Sequence, residues 1–258
     1  MKKPAIIFFD IDGTLIDTQT HRMTQRTQDT LKALQQKGIR IALATGRAPM
    51  ELPEFDGLEF DATLTFNGSL CYSSDQVIWR NPIPAADVQQ VIANAADIGR
   101  PVSIATLQEI MANGLDDDLR EYLQVANITP EVSSRFAQVC RQDVFQMMIG
   151  CRPEDWPGLV KNAPGSRITW WWDRAVDVIP ANGGKAAGVR AILDHFHLDP
   201  AQAAAFGDGC NDLDMLETVG TGVAMGNALE ELKAAADDIC PAVWEEGIWR
   251  YCKEQGWI

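Results

Sequence analysis

Positive charge is scarce in this sequence: 22 Lys and Arg stand against 36 Asp and Glu, a formal net charge of −14 over 258 residues. A polyanionic partner needs a basic surface, so the balance excludes nucleic acid or an anionic membrane as the main partner. No apolar run is long enough to cross a bilayer. The six cysteines (Cys71, Cys140, Cys151, Cys210, Cys240 and Cys252) are scattered, with no Cys-x-x-Cys pair. Met1-Lys2-Lys3-Pro4 and the apolar residues after it have the outline of a secretory leader. Asp10 and Asp12 interrupt that stretch too early, however, and no small-residue cleavage site follows. The expectation is therefore a cytoplasmic protein with reduced thiols. Internal repeats and low-complexity tracts are also missing.

What is present is a set of short apolar runs that end abruptly in polar residues. Ile6 to Phe9 is followed by Asp10-Ile11-Asp12-Gly13-Thr14. An uninterrupted run of this kind predicts a strand buried on both faces, as in parallel sheets. Thr24 to Lys37 predicts a helix stopped by Gly38, and Ile39 to Ala44 a second strand ending in Thr45-Gly46-Arg47. Strand, helix, strand at this spacing is a βαβ unit, which brings Thr45 to the same sheet edge as Asp10. A third strand, Asp61 to Phe66, meets Asn67-Gly68, a hairpin signal before Leu70-Cys71-Tyr72.

Asn81-Pro82-Ile83-Pro84 reads as an extended connection, and Ile179 to Gly184 as a second one. Between them the pattern is mixed. Helices are expected over 85–98, 117–125 and 154–161, and strands over 102–105, 144–149, 168–172 and 175–179. On a strand, Trp170 and Trp172 face one way and Trp171 the other. The run is expected to pack on helices of its own segment; the sharper alternative is that one indole lines a substrate pocket. A segment between two turn-rich linkers is a candidate inserted domain, giving residues 82–181 as the insertion and 1–81 with 182–258 as the core. The first pattern then resumes. Lys185 opens a helix, Ala203 to Phe206 forms a strand ending in Gly207-Asp208-Gly209-Cys210-Asn211-Asp212, and Asn227-Ala228-Leu229-Glu230 reads as a capped helix start.

In an open α/β sheet these strand ends converge on one crevice. The set there contains carboxylates, a hydroxyl, an amine and glycine-rich loops, with no His or Cys ligand, a donor set that points to Mg²⁺. Asp10-x-Asp12-Gly-Thr, Thr45-Gly-Arg, Lys185 and Gly-Asp208-x-x-Asn211-Asp212, in this order, resemble the four motifs of the haloacid dehalogenase superfamily of phosphotransferases. The large insertion, Phe66-Asn67-Gly68 and the closing Gly222-Val-Ala-Met-Gly226-Asn227-Ala resemble its Cof-type, sugar-phosphatase-like branch. The resemblance implies an α/β fold with a Rossmann-like parallel-sheet core and an inserted α/β cap. It implies a Mg²⁺-dependent phosphatase of small phosphorylated metabolites, sugar phosphates above all. Asp10 would be the nucleophile that forms an aspartyl-phosphate, and Asp12 the general acid and base. Thr45 and Lys185 would complete the catalytic set. Thr45, Gly46, Asn67, Lys185 and Asn211 would contact substrate, and Asp10, Asp12 (through its backbone carbonyl), Asp208 and Asp212 would hold the metal. A phosphomutase using the same aspartyl-phosphate and a non-catalytic binding or regulatory protein of the same fold are the alternatives.

Overall fold

The computed structural model describes residues 3–74, 76–125, 128–129 and 131–258. Met1 and Lys2, part of the leader-like start, lie outside the described residues. The chain divides into two compact units, one of residues 1–46, 53–79 and 185–258, the other of residues 47–52 and 80–184.

The first unit opens with β1 (Ile6–Phe9), α1 (Gln25–Gln36) and β2 (Arg40–Ala44). The Thr24 hydroxyl caps α1 by accepting from Thr27 N, and Gly38, at φ +74°, follows its end. β3 (Ala62–Thr65) turns through residues 66–69 into β4 (Leu70–Ser73), followed by β5 (Gln76–Arg80). The hairpin signal at Asn67-Gly68 is correct in kind, because β3 and β4 pair antiparallel with Thr65 opposite Leu70. The connection is four residues long rather than two, with Phe66 and Asn67 both at φ +51°.

In the second unit, helix α2 (Ala85–Asp97) precedes β6 (Val102–Ala105), β7 (Ile110–Ala112), α3 (Asp117–Val125) and β8 (Glu131–Val132). Then come α4 (Phe136–Val139), β9 (Gln146–Gly150), α5 (Trp156–Leu159), β10 (Ser166–Thr169) and β11 (Ala175–Pro180). Among the described residues these strands form one sheet in the order β10-β11-β9-β6-β7-β8, antiparallel except between β7 and β8. Val88, Val91, Leu159 and Val139 bury one face of it against Val102, Ile104, Met147 and Val178.

Two expectations in this unit need correction. The helix expected over 154–161 is a 3₁₀ turn followed by the single turn α5, because Pro157 lacks an N–H and Gly158 costs backbone entropy. The strand expected over 168–172 stops at Thr169, where the ladder ends opposite Asp177. The indoles that follow are drawn to separate partners: Trp170 packs on Trp156 with centroids 4.9 Å apart, and Trp171 Nε1 donates to Tyr122 Oη at 2.9 Å. Both partners belong to the same unit, as the packing expectation required. Tyr122 in turn donates to the buried Asp177 at 2.7 Å.

The chain then returns to the first unit with α6 (Lys185–His195), β12 (Ala203–Gly207), α7 (Leu213–Leu216), β13 (Thr221–Ala224), α8 (Glu230–Ala235), β14 (Asp238–Ile239) and α9 (Gly247–Glu254). Its sheet has the order β14-β13-β12-β1-β2-β3-β4-β5, parallel from β14 to β3. Alternation sorts the side chains: Ile6, Phe8, Ala203 and Ala205 face α6 and α7, packing against Val189, Ile192 and Met215. On the other face Phe9 stacks on Phe206 at 5.3 Å, and Tyr251 and Trp257 close over Phe206 edge-on. Each buried Phe contributes about 2 kcal/mol. Both faces of β1 and β12 are thus sealed, and polar residues at their carboxyl ends have one open direction. β1 lies between β2 and β12, so the crossovers run to opposite sides of it, the arrangement that opens a crevice in doubly wound sheets.

Candidate active site

Asp10 is the first residue beyond β1, and its N–H still donates to Phe206 O at 3.0 Å, so the neighbouring strand holds its backbone. Gly13 turns the chain back at φ +82°, and its N–H donates to Ile16 O at 2.8 Å. A side chain there is excluded twice over, because a Cβ would also stand 2.1 Å from Asp208 Oδ2. Gly207 allows a comparable approach: a Cβ on it would lie 2.5 Å from Asp212 Cγ.

Lys185, at the start of α6, is wholly buried and donates to Asp10 Oδ1 at 2.6 Å and to Asp212 Oδ1 at 2.5 Å. The other oxygen of Asp212 accepts from the N–H groups of Asp208 and Gly209, each at 3.0 Å. Asp212 therefore shapes the loop that carries Asp208 while it holds the ammonium. Asp208 itself accepts from Thr14 Oγ1 at 3.0 Å. Carboxylate oxygens of Asp10, Asp208 and Asp212 all lie within 4.8 Å of one another. Asp12 is not among these three; half-buried, it adds negative charge beside Asp10.

Burial pushes Asp10 up to about 7; Lys185 pulls the other way, and the Asp212 and Asp12 carboxylates add to the rise. Burial also holds Asp208 well above the usual carboxylate range, with Asp10 and Asp212 acting in the same direction. For Lys185, burial opposes the charge, but its two carboxylate partners outweigh it and raise the ammonium above its ordinary range. Lys185 is thus charged, and three carboxylates face one ammonium. That excess of buried carboxyl groups, held back from ionising by burial and by one another, forms an all-oxygen donor set that fits a hard divalent cation, which would stabilise their charged forms.

The remaining residues expected from sequence gather on the next two strands. Thr45, beyond β2, is buried and donates its N–H to Leu64 O at 2.9 Å; its own carbonyl accepts from Asn67 N at 3.1 Å. Asn67 is buried too, and its Oδ1 accepts from Asn211 Nδ2 at 3.0 Å. Gly46 leaves room for this amide, since a Cβ on it would be 3.1 Å from the Asn67 side chain. One reading fails. Asn227 does not cap α8, whose first turn follows Leu229 with no side-chain cap. Its amide instead donates to Gly13 O at 2.8 Å and accepts from Val243 N at 2.9 Å. Sequence reasoning gave Thr14 no role and Asn227 only that of a helix cap, so neither was expected at the site; both stand inside motifs that it singled out.

Two curated relatives and one solved structure match nearly the whole chain. YkrA of Bacillus subtilis, whose phosphatase name is provisional, is 33% identical over 254 residues that make up 97% of each chain. The 5-amino-6-(5-phospho-D-ribitylamino)uracil phosphatase YitU of Bacillus subtilis is 26% identical over 274 residues, 98% of this chain and 97% of that one. The solved structure of the HAD subclass IIB sugar phosphatase BT4131 superposes with a TM-score of 0.87 at 31% identity, covering 98% of this chain and 99% of that one. The sequence profile of the haloacid dehalogenase-like hydrolases matches residues 7–251.

Proposed function

Because the chain belongs to the haloacid dehalogenase-like hydrolase family and is a phosphoric monoester hydrolase of phosphorylated small molecules, we propose that it is a Mg²⁺-dependent sugar-phosphate phosphatase working through Asp10. The observation that carries this reading is the position of Asp10: beyond β1, with Oδ1 held at 2.6 Å by a buried ammonium and two further carboxylates beside it. An oxygen so held is fixed in direction, which leaves Oδ2 to attack phosphorus. The bond from Oδ2 to phosphorus forms as the bond from phosphorus to the sugar oxygen breaks, and the departing alkoxide takes a proton from Asp12. Water then attacks the aspartyl-phosphate and returns its proton to Asp12, releasing phosphate and restoring Asp10. Lys185 offsets charge on the phosphoryl oxygens, while Thr45, Gly46, Asn67 and Asn211 orient them.

Asp10, Asp208 and the backbone carbonyl of Asp12 would hold Mg²⁺, with Asp212 reaching it directly or through water. When bound, the ion supplies a positive counter-charge to the transferring phosphoryl group. Residues 82–181 would act as the cap that selects the leaving group. The protein acts in the cytoplasm.

A phosphate-release screen over phosphorylated metabolites, run with and without Mg²⁺, tests this. Release of inorganic phosphate from hexose or pentose phosphates only in the presence of Mg²⁺ supports the reading. Conversion of a hexose phosphate to its isomer without free phosphate replaces it with a mutase, and equal turnover in chelator removes the metal.

A further inference from the structure

We infer that Asn227 is a positioning residue for this reaction: its side-chain amide braces the Asp10–Thr14 loop against the Asp208 loop and so sets the affinity of the carboxylate group for a divalent cation. The inference rests on the metal reading above.

Both ends of the amide are committed. Nδ2 donates to Gly13 O at 2.8 Å, and Oδ1 accepts from Val243 N at 2.9 Å. A backbone carbonyl can only accept and a backbone N–H can only donate, so the partners themselves fix which end of the amide is which. The segment that carries Asn227 is also tied to the metal loop. Met225 N donates to Gly207 O at 2.9 Å, and Leu229 N to Asp208 O at 3.3 Å. Residues 225–229 are therefore fastened by backbone to the loop of Asp208, and Asn227 reaches from them to the loop of Asp10.

Gly13 is the point where that reach has most effect. Its N–H is held by Ile16 O at 2.8 Å and its carbonyl by Asn227, so the Gly13 residue is pinned at both ends. Its Cα is pressed against Asp208 closely enough that a Cβ would lie 2.1 Å from Oδ2. The next residue, Thr14, donates to the other Asp208 oxygen at 3.0 Å. Rotation of the Gly13 peptide would thus move both neighbours of the Asp208 carboxylate. The fold places the brace outside the three-carboxylate group, where it orients a ligand without being one. Partners of this kind are worth roughly 10–100-fold in metal affinity.

The substitution Asn227→Asp separates the two bonds. It keeps an oxygen for Val243 N–H but turns a second oxygen toward the Gly13 carbonyl, replacing attraction with repulsion. Asn227→Ala removes both bonds. Val243→Pro removes only the Val243 donor, at the first position of a 3₁₀ turn where proline is tolerated, after an Ala242 already at φ −64°, ψ 161°.

The test is Mn²⁺ binding by the metal-depleted full-length protein, read by electron paramagnetic resonance of free Mn²⁺, alongside metal-free melting temperature and steady-state kinetics. Asn227→Asp is expected to stay folded by circular dichroism but to melt below the wild type, to bind Mn²⁺ roughly 10–100-fold more weakly, and to lose kcat at limiting metal with little change in KM. Asn227→Ala should weaken binding similarly, and Val243→Pro should leave it near wild type. If Asn227→Asp binds Mn²⁺ as tightly as the wild type, or if Val243→Pro weakens binding as much, the inference is overturned while the parent reading stands. Wild-type protein that binds no Mn²⁺ overturns both.

Discussion

Lys185 and Asp212 form an ion pair at 2.5 Å with both side chains sealed from water, 0% and 1% exposed. Desolvating the two charges is costly, and the pair persists because each has further partners: Asp10 for the ammonium, and the Asp208 and Gly209 amides for the carboxylate. Removing one partner therefore does more damage than neutralising the other conservatively. Lys185→Met leaves Asp10 and Asp212 facing each other and should cost about 3–5 kcal/mol. Asp212→Asn still accepts from the loop amides and should cost about 1–3 kcal/mol. Urea denaturation measures the order, and both variants should lose phosphate release.

Metal removal follows from the charge excess. Chelation should abolish phosphate release and added Mg²⁺ should restore it. Free Mg²⁺ at a hundred times its dissociation constant should stabilise the wild type by about 2.7 kcal/mol. Asp208→Asn, which lacks one of the three grouped carboxylates, should show neither the stabilisation nor the activity. Thermal melts with and without Mg²⁺ read this directly.

Alkaline pH should unfold the protein through its buried thiols. Burial raises Cys240 and Cys151 from 9.0 to about 12, and Cys71 and Cys252 move the same way. Below pH 9 both folded and unfolded chains keep these protons, and nothing changes. Above it the unfolded chain loses protons that the folded chain retains, so stability falls as pH rises, until the folded thiols ionise too. Each such thiol contributes about 1.4 kcal/mol per pH unit over that window. Urea midpoints from pH 8 to 11 should decline from about pH 9, and Cys240→Ala should flatten the slope.

The parallel core was legible because each of its strands is a short apolar run that ends in chemistry. The runs Ile6 to Phe9, Ile39 to Ala44 and Ala203 to Phe206 hold strands that pair as neighbours in register, and Asp10, Thr45 and Asp208 follow them. Lys185 was legible as the opening residue of a helix, and its partnership with Asp10 across 175 residues follows once the strands are placed. The strand was carried too far into the tryptophan run because strand patterning is a local rule, whereas Trp170 and Trp171 are claimed by rings of α5 and α3. Asn227 failed for the same reason. Asn-Ala-Leu-Glu is a good local cap signal, yet the hydrogen bond that claims its amide nitrogen spans 214 residues. The two-residue strands β8 and β14 carry no periodicity from which to read them.

The central claim is that Asp10 is the nucleophile, and phosphate release by Asp10→Asn in the presence of Mg²⁺ tests it most directly. The substitution keeps the size of the side chain and an acceptor for Lys185 but removes the attacking oxygen's charge. Release from the best sugar-phosphate substrate should fall by at least about a thousandfold, with the fold intact by circular dichroism. Release within a few-fold of the wild type would contradict the account.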